Sequence, residues 1–178
     1  MTLKKYHSAK DYLDAAKSRE TPVAELEVLA RSEYDFVRIA VAENSNMSPE
    51  ILAALVPSKI ESWNEQALAA ALTGNQKTPV EALMLMASKL IPVLNRGRGN
   101  DHGFRAGVQL CCNANTPLES IREVLNPDKV AKLFRKAVAK TTRRKDVLTL
   151  LSSDRSETVS KRARESLEKI NTAEPGKP

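Results

Sequence analysis

Thr116-Pro117-Leu118-Glu119-Ser120-Ile121-Arg122-Glu123-Val124-Leu125 is the stretch whose reading decides the fold. A hydroxyl residue precedes a proline, and apolar residues follow at helical spacing. Threonine or serine just before a helix accepts a bond from a free backbone N–H. Proline in the first turn lacks only a donor that has no partner there. The same opening recurs at Thr21-Pro22, Ser48-Pro49 and Thr78-Pro79, with a degenerate copy near Lys145-Asp146. Thr78-x-x-Glu81, Thr116-x-x-Glu119 and Ser62-x-x-Glu65 add the reciprocal capping box.

Outward from these openings, each follows the end of another short helical segment: Val41-Ala42-Glu43-Asn44, Leu72-Thr73-Gly74-Asn75 and Leu110-Cys111-Cys112-Asn113. The asparagines are expected to take the left-handed conformation that ends a helix. The unit is thus helix, bend, helix, Asn turn, Thr-Pro. Openings at 21, 48, 78, 116 and about 145 give intervals of 27, 30, 38 and about 29 residues. Such a period predicts units that pack on their neighbours. The expected fold is all-α, a right-handed helical-repeat solenoid of about four to five stacked helix pairs. It forms one domain over 1–170: an initial half-repeat at 1–20, repeats at 21–47, 48–77, 78–115 and 116–144, and a C-terminal capping repeat at 145–170. Residues 171–178 are expected to be a flexible tail.

The Thr-Pro openings, with Val37-Arg38-Ile39-Ala40-Val41-Ala42-Glu43-Asn44 before Ser48-Pro49, resemble the leucine-rich repeat variant family, whose members are HEAT-like α-solenoids. The resemblance spans roughly residues 12–150 and implies a fold without a shared reaction. The uneven repeat lengths depart from the family. So does the absence of the cysteine cluster that a founding member places before its repeats, so no iron–sulfur centre or other cofactor is implied.

Composition agrees with closely packed helices: of 178 residues, 42 % are apolar but only 4 % aromatic. Phe36, Leu85 and Ala137 are expected in the core, and Trp63 is expected to staple a helix start. The two cysteines are adjacent and read as thiols buried at a helix end. With neither a leader pattern nor an apolar run of membrane length, the expected location is cytoplasmic, with no membrane partner.

Charge is unevenly spread. Residues 1–119 hold 13 Lys/Arg against 14 Asp/Glu, whereas residues 120–178 hold 15 against 8. In a helix expected to start at Asn126-Pro127-Asp128, Lys129, Lys132, Lys136, Lys140 and Arg143 fall on one stripe, broadened by Arg135, Arg144 and Lys145. No Asp or Glu interrupts residues 129–145. A solvated helix face usually mixes signs, so the run is a candidate binding surface. The glycine-rich stretch from Asn95 to Arg105 is expected to be a mobile loop, and it adds Arg96, Arg98 and Arg105 as candidate anion contacts. Asp101-His102 lacks the third partner that acid–base or metal chemistry needs.

No catalytic or metal-binding constellation emerges, and no small-molecule substrate is expected. The expected function is a non-catalytic module that binds an acidic protein partner through its helical surface and basic C-terminal third. The alternative is an α-solenoid that contacts the phosphate backbone of DNA or RNA. A HEAT-like DNA glycosylase would need an aromatic, acidic pocket, which this composition supplies poorly.

Overall fold

The structure is a computed structural model that describes residues 6–95 and 101–173. All regular structure among the described residues is helical. The helices are α1 (Ala9–Lys17), α2 (Val23–Leu29), α3 (Asp35–Glu43), α4 (Pro49–Ala54), α5 (Trp63–Gly74), α6 (Val80–Leu94), α7 (His102–Cys112), α8 (Leu118–Val124), α9 (Lys132–Thr141), α10 (Lys145–Ser152) and α11 (Glu157–Ala173). The odd-numbered helices touch one another in chain order, from α1 to α11. The even-numbered helices α4, α6, α8 and α10 form a second succession. Leu26, Val41, Leu52, Leu72, Leu83, Leu90, Leu110, Ile121, Phe134 and Leu148 are buried in one core cluster between them.

The junctions are where the sequence pattern becomes structure. Asn44, Asn75 and Asn113 are the C-caps of α3, α5 and α7, with φ of −71°, −80° and −69°. This is extended backbone rather than the expected left-handed turn. The side chain takes over the capping task. Each Oδ1 accepts from the backbone N–H two residues on, at Asn46, Lys77 and Asn115. Each Nδ2 reaches back to the preceding odd helix: Asn44 to the carbonyls of Ala16 and Ser18, Asn75 to Ala42 and Asn44, Asn113 to Thr73 and Asn75. The distances run from 2.8 to 3.2 Å. Carbonyls at a helix end have no partner within the helix, and here the next asparagine satisfies them. The result is a ladder of side-chain amides along one edge of the odd row.

The threonines act at the same place. Thr21, Thr78 and Thr116 donate to the carbonyls of Ala15, Leu72 and Leu110 at 2.6, 2.6 and 2.7 Å. They close the preceding helix instead of opening the next one. Pro22, Pro79 and Pro117 are the N-caps, without a side-chain cap, so the boxes expected at Thr78/Glu81 and Thr116/Glu119 do not form. Ser48 does cap α4, because its unit is one residue longer and buried Met47 stands at the threonine position. The box at Ser62/Glu65 forms as expected, and Ser8/Asp11 makes another.

Small residues set the spacing of the odd row. α5 buries Ala67, Ala69, Ala70 and Ala71, and Arg105 of α7 reaches past it to pair with Glu43 of α3 at 3.5 Å. Close packing is tightest at Gly107, where a Cβ would lie 2.5 Å from Leu94 Cδ2 and 2.9 Å from Phe134 Cε2. Phe134 cannot retreat, because its ring is wholly buried and packs edge-on against Phe104.

Three core expectations fail at the helix edges. Phe36 is 41 % exposed, Leu85 48 % and Trp63 62 %, while Ala137 is half-buried. Trp63 rests against the His102 ring, 4.4 Å between centroids, and staples nothing.

Two substitutions test this packing. Asn113→Ala removes both donors from buried carbonyls and should cost about 2–4 kcal/mol, lowering the thermal midpoint by about 10 °C. Gly107→Ala gains about 1 kcal/mol of helix propensity but overpacks the site by about 1–3 kcal/mol. Net destabilisation by urea titration is the expected result.

Candidate functional site

The basic residues of the C-terminal third divide into two groups once their surroundings are seen. Asn126-Pro127-Asp128 does not start a helix. Residues 127–129 are a turn, and α9 begins at Lys132. Asn95 causes this delay. It caps α6, donates to the Lys129 carbonyl at 2.6 Å and accepts from Ala131 N at 2.8 Å, which pins the start of α9. Lys129 therefore lies off the helix and pairs with Glu123 at 2.5 Å.

Arg135 is structural. Its side chain is 3 % exposed, and it holds Asp154, itself 4 % exposed, through Nε at 2.6 Å and Nη2 at 3.2 Å. Its Nη1 donates to the Val130 carbonyl at 2.7 Å. A helical wheel places Arg135 beside Lys132 and Lys136, but at 100° per residue it already turns toward the buried side. Arg144 is also spoken for. Its Nη1 donates to the carbonyls of Asn113 and Thr116, both at 2.7 Å, and its fork grips Asp146. It supplies the donor where the next asparagine would stand, since the C-cap of α9 is Thr142. Arg144 holds the Asp146 carboxyl below its ordinary range. That contribution to stability is present above the unfolded-state value and is lost as pH falls through the lowered folded one.

Arg105 lies within α7, not in a loop, because Asp101 caps that helix by accepting from Phe104 N at 2.6 Å. Its partner is Glu43. Arg96 and Arg98, and the proposed loop mobility around them, lie outside the described residues. Cys111 is fully buried, which pushes its thiol up, and Cys112 is half-buried and raised for the same reason.

Lys132, Lys136, Lys140 and Arg143 remain as exposed cations. Lys136 and Lys140 face α11 across a groove of about 520 Å³, also lined by Thr158, Lys161, Arg162 and Glu165. Further along, Arg143 and Lys145 face Lys169, Ile170 and Ala173 across a space of about 760 Å³. Lys136 and Lys140 of α9, then Arg143 and Lys145 just beyond it, meet successively later residues of α11, so the chain runs the same way on both sides and the two spaces follow one another along α11. From Thr158 to Ala173 the groove extends about 22 Å, at 1.5 Å per helical residue. Among the described residues, Glu165 is the one carboxylate lining either space, and it pairs with Arg162 at 3.2 Å.

The cations contributed by α11 were not visible as part of a site in the sequence. Glu157, Glu165 and Glu168 interleave them, so α11 reads as a mixed-sign outer helix. The flank turned toward α9 gathers Lys161, Arg162 and Lys169, with Glu165 among them. The sequence spacing suggests i, i+4 pairs Glu157–Lys161 and Glu165–Lys169 on α11, whereas Glu165 pairs with Arg162, at i, i+3.

Among the described residues, no group of three or more His, Cys, Asp or Glu is placed to hold a metal ion. No helix there is long and apolar enough to cross a membrane. Comparison of the chain with protein-family models, curated proteins and solved structures gives no match.

The division between buried and exposed cations is directly testable. Arg135→Met leaves Asp154 charged and buried, and should cost about 3–5 kcal/mol. Lys132→Gln should leave the unfolding midpoint unchanged in the same denaturant titration.

Proposed function

We propose that this chain is a non-catalytic helical-repeat interaction module, a right-handed α-solenoid of the leucine-rich repeat variant or HEAT-like kind. Its role is to dock an acidic protein partner in the groove between α9 and α11. The solenoid reading is supported by the amide ladder, in which α3, α5 and α7 are each tied to the preceding odd helix by the same bond from the same position. Repeated junctions of that kind suit a quasi-one-dimensional array, whose usual product is an extended binding surface.

The observation that carries the functional reading is the two-walled basic groove. Lys136 and Lys140 stand on one side, with Lys161, Arg162 and, further on, Lys169 on the other. Cations converging from two helices raise the local potential more than a stripe on one helix does. They attract an anionic chain over roughly a Debye length, about 8 Å at physiological ionic strength. A phosphate backbone would satisfy the same cations. Among the described residues the groove is lined by no aromatic side chain, however, and stacking on aromatics is the common way to hold unpaired bases.

The test is a titration at low and moderate salt with polyglutamate and with unrelated duplex and single-stranded oligonucleotides. Polyglutamate should bind in a salt-sensitive manner. Lys136→Gln, Lys140→Gln and Lys161→Gln together should weaken it about tenfold, given up to about 1 kcal/mol for each exposed pair. Oligonucleotide binding tighter than polyglutamate, and abolished by the same triple variant, would transfer the groove to nucleic acid. No binding of either polymer at low salt would remove the groove as an anion site.

A further inference from the structure

The groove is not the same along its length. At the Thr158 end its lining is polar and charged: Lys136, Lys140, Lys161, Arg162 and Glu165 around the Thr158 hydroxyl. At the other end the described lining includes the apolar side chains of half-buried Ile170 and exposed Ala173, with Arg143, Lys145 and Lys169 beside them. Ile170 packs partly against the core, so its remaining surface is held in place rather than free to turn away. A uniform polyanion would leave these apolar side chains uncovered. A chain that carries an apolar side chain beyond its acidic residues would cover them.

The spacing is set by α11. Arg162 and Ile170 are eight residues apart on one helix, which is about 12 Å. An extended peptide covers that distance in about three to four residues at roughly 3.3 Å each. We propose that the groove selects an extended acidic peptide with an apolar anchor residue, the acidic residues lying against Lys136, Lys140 and Arg162 and the anchor three to four positions along on Ile170 and Ala173. This rests on the groove being the partner-binding site. It adds direction to that reading, because an asymmetric groove fixes which way the peptide lies. It also adds selectivity, because charge alone does not distinguish one acidic segment from another, whereas a fitted apolar side chain does.

Four probes test it in parallel by fluorescence anisotropy with the full chain. One is a tetraglutamate peptide followed, after two glycines, by leucine. The second carries serine in place of that leucine, the third is polyglutamate and the fourth is a thymidine oligonucleotide. The leucine peptide is expected to bind about five- to tenfold tighter than the serine peptide, the effect of covering part of one aliphatic side chain. Ile170→Ser should erase that difference. Since Ile170 touches the core, Ala173→Asp is the second variant: it lies at the exposed end of α11 and should also reduce the leucine preference, with the melting temperature retained. Equal binding of leucine and serine peptides, both weakened by Lys136→Gln with Lys140→Gln, would overturn the apolar anchor while leaving the groove as an anion site. Failure of both peptides and of polyglutamate would overturn the groove reading itself, and the anchor with it. An oligonucleotide that out-competes the leucine peptide would overturn the peptide as occupant.

Discussion

The rest of the structure depends on how the ends of the odd helices are satisfied. A helix leaves its last carbonyls without partners, and in a row of parallel helices those carbonyls are buried at one edge. Water cannot reach Asn113 or Thr116, both essentially unexposed. Each asparagine answers three needs with one side chain. Its Oδ1 turns its own chain, and its two N–H bonds reach two carbonyls of the previous helix. The threonine three residues on closes a carbonyl of its own helix. Apolar burial supplies most of the driving force for packing these helices, but it does not fix their register. The amide ladder does, since a shift by one residue would leave several buried acceptors empty at once.

That requirement also explains what becomes of the positive charge. Where the α9 C-cap is threonine, the missing amide is replaced by the Arg144 guanidinium, and an apparently basic surface residue becomes a joint. Arg135 is consumed in the same way by Asp154, which in turn accepts from Ser156 N just before α11. Arg135 thereby ties α9 to the turn before α11, and Arg144 ties the chain after α9 to the α7–α8 junction. The lysines that remain exposed, Lys136 and Lys140, line the groove. Arginine suits the first task, with a planar fork that bonds several fixed acceptors, and lysine the second, with a compact charge on a flexible stem.

The helical class, the helix openings near 21, 48, 78, 116 and 145 and most of the core were legible in the sequence. They rest on short-range rules of apolar spacing and helix-end chemistry. Asn44, Asn75 and Asn113 were legible as stops, but their bonding was not, because it joins residues 26 to 40 positions apart. The threonines read as caps of the following helix yet close the preceding one for a related reason: a hydroxyl between two helices can serve either, and only the buried carbonyls behind it decide. Trp63 and Phe36 misled because size predicts burial only where there is a neighbour to bury against, and both stand at helix starts on the rim. Half of the candidate site was legible as the lysines of α9. The α11 half was hidden by its alternating signs, which sort into a basic flank only when α9 shows which side faces inward.

The ladder runs along only one edge of the odd row, and this gives the molecule an uneven stiffness. Hydrogen bonds hold the C-terminal ends of α1, α3, α5 and α7 at fixed separations. Towards their N-terminal ends α3, α5 and α7 meet through fewer bonds: Asn64 donates to Asp35 at 2.5 Å, Gly103 N–H donates to Gln66 Oε1 at 3.2 Å, and Trp63 packs on the His102 ring. A row bound in this manner bends like a fan, with the ribs spreading at one end and the pivot staying closed. Shape changes imposed by load or crowding would therefore open the rim where Phe36 and Trp63 stand, and leave the pivot edge nearly inextensible.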